Sequence, residues 1–108
     1  MSSRKSQLLS LLDKDPHSSF LLFALAKEFE AENNPASAIT TYVQLLTLDP
    51  MYTGAYYHLG KQYILINDLD KARATYHTGI EVCNSAHASH DASELRSALE
   101  DINEDENF

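Results

Sequence analysis

The residues with the most evident chemical capacity lie near the C-terminus. His87 and His90 stand three apart and Asp91 follows. On a helix, positions i and i+3 share a side, so the two imidazoles could meet one metal ion. A structural zinc site takes four ligands at recurrent spacings, and no Cys or His framework completes this set. No metal and no cofactor are therefore expected. Cys83 is the single cysteine. It cannot close an internal disulfide, which suits a reducing cytoplasm. A reactive thiol wants a base and electropositive surroundings. Cys83 lies in GIEVCNSAH near a helix end and is expected to be structural and partly buried. Glu28, Glu30 and Glu32 cluster, but on a helix they fan out and read as a solvated charged face. There is no phosphate-binding glycine loop, nucleophile elbow or acid–base pair in the sequence. An enzyme is not expected, and no catalytic residue is assigned.

The positioning elements come from composition and pattern. The chain has 108 residues and a net charge of −8, from 16 acidic and 8 basic side chains. Nucleic acid and anionic membrane surfaces both call for Lys and Arg to neutralise them, so neither is an expected partner. No apolar run is long enough to cross a bilayer. The opening MSSRKSQLLSLLDKD has no extended apolar core or small-residue cleavage site. No signal peptide is expected, and Arg4 and Lys5 read as a solvated helix start. A cytoplasmic location follows. The length points to one domain. Three glycines and three prolines are too few for a β-sandwich, which needs a turn about every 8 to 12 residues. Helices are favoured.

Offset by 34 residues, 15–48 and 49–82 align without a gap. The identical pairs are Asp15/Asp49, Pro16/Pro50, Leu25/Leu59, Lys27/Lys61, Asn33/Asn67, Ala38/Ala72, Thr41/Thr75 and Tyr42/Tyr76. Each unit reads as two amphipathic helices. The first helix carries Leu22, Leu25, Ala26 and Phe29, or Tyr56, Leu59, Gly60 and Tyr63. The second carries Ala38, Tyr42, Leu45 and Leu46, or Ala72, Tyr76, Gly79 and Ile80. Asn34, followed by Pro35, and Asp68 are suited to cap the second helices. Gly60 falls where an aromatic of a neighbouring helix would need room, as do Ala26, Ala38 and Ala72.

This 34-residue period, with its small and large residues in alternation, resembles the tetratricopeptide repeat. The motif is Tyr56, Leu59, Gly60, Tyr63, Ala72, Tyr76 and Gly79 in the second unit. In the first it is Leu22, Leu25, Ala26, Phe29, Ala38 and Tyr42, closed by Pro50. The whole chain is similar to small stand-alone bacterial proteins of that family. The resemblance implies an all-α, right-handed superhelical stack of helix–turn–helix repeats. With the flanking segments this gives about six helices: 3–13 at the N-terminus, repeats at 15–48 and 49–82, and a capping helix over 87–102. In that cap Ala88, Ala92, Leu95, Leu99 and Ile102 form one apolar stripe. Residues 103–108 are expected to be a disordered tail.

The resemblance also implies a concave groove lined by the first helix of each pair. The matching positions are Phe20, Phe23, Lys27 and Glu30 in repeat 1, and Gly54, Tyr57, Lys61 and Ile64 in repeat 2. His58 beside them reads as a groove or surface residue. Lys27 and Lys61 occupy equivalent places, so an extended peptide or protein partner with acidic groups is expected there. Some family members grip a C-terminal carboxylate with a clamp of cations and amides. The matching residues here are Phe23, Lys27, His58, Ala88 and Ala92: Lys27 is the one reliable cation and stands at an amide position, and alanines replace the two cations of the third helix pair, so that recognition is not implied. A non-enzymatic interaction scaffold, monomeric or weakly dimeric, is the reading. Self-assembly through end helices, using Leu8, Leu9, Leu11 and Leu12, is its alternative.

Overall fold

The computed structural model describes residues 3–106. Every regular element among them is a helix: α1 (Ser3–Lys14), α2 (Ser19–Ala31), α3 (Pro35–Leu48), α4 (Gly54–Leu65), α5 (Leu69–Ser85) and α6 (Ser89–Glu106). The all-α class and the six helices are those expected. Where the sequence suggests one domain over 1–108, internal contacts divide the chain into Met1–Pro50 and Met51–Phe108, here units 1 and 2.

One turn design recurs. Asn33, Asn67 and His87 adopt left-handed backbone angles, with φ of 56°, 62° and 57°. After each, the next amide reaches back five residues. Asn34 N donates to Phe29 O at 3.0 Å, Asp68 N to Tyr63 O at 2.9 Å and Ala88 N to Cys83 O at 2.9 Å. This Schellman arrangement satisfies carbonyls that a helix end leaves open. After the first two turns the next helix starts on a side-chain cap. Asn34 Oδ1 accepts from Ser37 N and Asp68 Oδ1 from Lys71 N, both at 3.2 Å. Pro35 fills the first position of α3, where a missing N–H does no harm.

His87 is thus in a turn, and the C-terminal helix begins at Ser89 rather than at 87. The same helix continues through Glu106, so 103–106 are helical instead of part of a disordered tail. Nothing after Ile102 stops them, for neither glycine nor proline occurs there. The last two residues of that expected tail lie outside the described residues.

In unit 1, α2 packs on both α1 and α3. Leu22, Leu25 and Ala26 of α2 meet Ala38, Tyr42 and Leu45 of α3 in the core, and α1 adds Leu8. The clustered glutamates do not fan out to solvent. Glu28 pairs with Arg4 at 3.5 Å and Glu32 with Lys5 at 2.8 Å. Glu30 accepts a hydrogen bond from the Tyr42 hydroxyl. Lys5 is correspondingly not a solvated start: its side chain is 15% exposed and its ammonium lies 5.3 Å from the centre of the Phe29 ring. Glu28 on α2 and Glu32 at its C-terminal cap meet two cations on α1, and that match is invisible within either helix alone.

In unit 2, α4, α5 and α6 pack against one another. Tyr56, Leu59, Ala72, Tyr76, Cys83, Ala92, Leu95 and Ile102 are buried. Gly60 and Gly79 lie where helices approach closely. A Cβ on Gly60 would run into the Tyr76 ring, and one on Gly79 would lie 2.7 Å from Tyr56 Cβ and 2.9 Å from Leu95 Cδ1.

Candidate functional site

Unit 2 contains a cleft of about 570 Å³, within the range of sites that hold a small ligand or a few partner side chains. One wall is α4, which contributes Tyr57, Lys61 and Ile64. These are spaced i, i+4 and i+7, next to the core stripe that begins at Tyr56. The facing wall is α6. Its His90, Glu94, Ser97 and Asp101 form a polar stripe at i, i+4, i+7 and i+11, with Ser93, Ala98 and Ile102 beside it. Leu69 and Tyr76 of α5 complete the lining.

The rim is charged with both signs. Lys61 is exposed, and its ammonium lies 5.9 Å from the Tyr57 ring centre, a distance at which the cation is attracted to the ring face. Glu94 and Asp101 bring two carboxylates. The interior is different. Tyr76 is fully buried, and its hydroxyl has no hydrogen-bond partner among the described residues. Burial, reinforced by Tyr57 and Asp101, pushes its pKa well above the usual 10.0. The phenol therefore stays neutral and retains its O–H. Its repeat counterpart Tyr42 donates to Glu30. The residue that corresponds to Glu30 in unit 2 is Ile64, which cannot accept.

Of the residues singled out from sequence, Tyr57, Lys61 and Ile64 come together in this cleft. His58 is half-buried beside it, edge-on to Tyr57 with ring centres 5.7 Å apart. Gly54 opens α4 in uncrowded surroundings. In unit 1, Phe20 is 73% exposed and Lys27 is exposed on α2. Phe23 is half-buried, edge-on to Tyr42 at 6.0 Å. Glu30 is held by Tyr42. The α6 side of the cleft was missed, although the four-residue polar stripe beside the apolar one was a usable signal.

The C-terminal histidines do not share a helical face, since His87 is in the turn and His90 is on α6. Asp91 accepts from Thr53 Oγ1 at 2.7 Å. Among the described residues no three His, Cys, Asp or Glu side chains gather as a metal site would require. Cys83 is fully buried, more than expected, and burial first and Asp91 second raise its thiol pKa. Among the described residues no helix is long and apolar enough to cross a membrane.

No family model matches the sequence, and no curated protein does. Solved structures do match. PcrH in complex with the chaperone-binding region of PopD has a TM-score of 0.85 at 15% identity, covering 94% of this chain and 77% of that one. The first TPR of Spaghetti (RPAP3), bound to the HSP90 peptide SRMEEVD, has a TM-score of 0.82 at 19% identity, covering 96% and 78%. These two share the fold. A tetratricopeptide repeat domain protein of Salinibacter ruber is 37% identical, with a TM-score of 0.76, and the match covers 80% of this chain and 96% of that one. With that identity over nearly the whole Salinibacter domain, and with the 34-residue period and helix pairs described above, this chain belongs to the tetratricopeptide repeat family.

Proposed function

We propose that the protein is a non-catalytic scaffold that binds a peptide or partner protein, and that the cleft of unit 2 is the site. The observation that carries this reading is the cleft itself, where aromatic and aliphatic side chains lie beneath a polar rim. Tyr57 and Ile64 supply apolar contact, Lys61 supplies charge, and His58 flanks them. On α2 in unit 1, Phe20, Phe23 and Lys27 offer further contact surface, while Glu30 serves Tyr42. Two fold neighbours hold polypeptide segments, a region of PopD in one and an HSP90 peptide in the other, which is consistent with this use of the fold. An acidic partner was expected from the lysines. In this cleft Lys61 faces Glu94 and Asp101, so a neutral or cationic partner suits it better. The lone buried thiol suits work in a reducing cytoplasm.

Peptides selected from a phage-displayed random library would test the site. Tyr57→Ala, which removes an aromatic anchor, and Ala98→Trp, which fills the cleft, should each weaken the selected peptides about tenfold or more. Equal binding to both variants would place recognition elsewhere. A second reading, self-assembly, draws on α1, where Leu9 is 42% and Leu11 50% exposed.

A further inference from the structure

Resting on the cleft of unit 2 as the binding site, we propose that its guest is a polypeptide segment that offers an amide carbonyl oxygen to the hydroxyl of Tyr76. Three observations converge on this. Tyr76 is fully buried in the lining of the cleft, and its hydroxyl has no partner among the described residues. A buried polar group without a partner is costly, and native proteins rarely leave one without a reason. The equivalent hydroxyl in unit 1 is satisfied by Glu30, whereas the matching place in unit 2 is Ile64. The repeat therefore contains both an internally satisfied form of this tyrosine and an open one.

Charge selects the kind of acceptor. Lys61 is opposed by Glu94 and Asp101 on the same cleft, so carboxylates outnumber the ammonium by one among these three. A guest carboxylate would lose its water and meet that repulsion. An amide carbonyl accepts the same O–H at far smaller desolvation cost, and its neighbouring apolar side chain can rest on Tyr57 and Ile64. Tyr76 is shielded by its surroundings, so the rim must part slightly. Lys61 and Asp101 are exposed, and rotamer changes of such side chains commonly accompany binding.

The test uses peptides selected on the whole protein that are sensitive to Tyr57→Ala and Ala98→Trp. Tyr76→Phe, which removes only the hydroxyl, should weaken them about tenfold. Ile64→Glu, which rebuilds the arrangement of unit 1, should weaken them at least as much. Without peptide, Tyr76→Phe should melt no lower than the parent, while Tyr42→Phe should melt lower. Equal affinity for Tyr76→Phe would overturn the inference and leave the cleft reading standing. A lowered melting temperature for Tyr76→Phe alone would mean that the hydroxyl has an internal partner such as Asp101, and would also overturn it. Peptides anchored by an Asp or Glu, and lost on change to Asn or Gln, would overturn the choice of an amide. If no selected peptide is sensitive to the cleft substitutions, the cleft reading falls and the inference with it.

Discussion

At Gly60 the chain gives up a side chain so that Tyr76 can be placed. Gly60→Ala would force the ring aside, and overpacking of this kind costs about 1–3 kcal/mol. Helix propensity alone favours alanine there, so a lower melting temperature would show that space at Gly60 is the deciding factor. Tyr76 also leaves a signature in alkali. Below its usual pKa of 10.0 the phenol is protonated in both folded and unfolded chains. Above it the unfolded chain releases the proton while the native one, with its raised pKa, keeps it. The native state then binds more protons, and stability falls as pH rises. Tyr76→Phe should remove a slope of up to about 1.4 kcal/mol per pH unit, seen in denaturant titrations above pH 10. The close approach at Gly60 was legible in the sequence, because a small residue and an aromatic sit in repeat register. The open hydroxyl was less so. It emerges only when Glu30 and Ile64 are compared as partners of Tyr42 and Tyr76, and that partnership is a three-dimensional fact.

The elements are delimited by their turns. Asparagine tolerates the left-handed region comparatively well, and histidine does so at greater strain. His87→Asn should therefore stabilise unit 2 by up to about 1 kcal/mol, and Asn67→Ala should destabilise it by about as much. Thermal melts of the two variants should move in opposite directions. The caps at Asn34 and Asp68 were legible because each precedes a helical pattern with a short polar residue. The turn at His87 was not, because no glycine or asparagine marks it, and the stripe from Ala88 onward obscures where the helix begins. The C-terminal end of α6 was misjudged on composition: acidic residues suggested disorder, but no helix breaker follows.

For the whole molecule, the expected state is a monomer with its cleft accessible. Light scattering over a concentration series should return a constant 12.1 kDa. A mass that doubles, and that Leu9→Ser with Leu11→Ser restores to the single-chain value, would favour assembly through α1 instead. The family and its helix pairs were legible because periodicity survives in a linear sequence. The ion pairs of unit 1 were not, since they join residues 24 and 27 positions apart. They have a consequence for α1. Leu8 is the one buried residue of that helix, and Arg4 and Lys5 tie it to Glu28 and Glu32. Such pairs weaken as ions screen them, with a Debye length of about 10 Å at 0.1 M salt falling to about 3 Å at 1 M. The first helix should therefore loosen as ionic strength rises, more through the exposed Arg4 than through the partly buried Lys5. Its amides should be among the first to exchange with deuterium, and added salt should speed them while the α3 amides around Tyr42 remain protected.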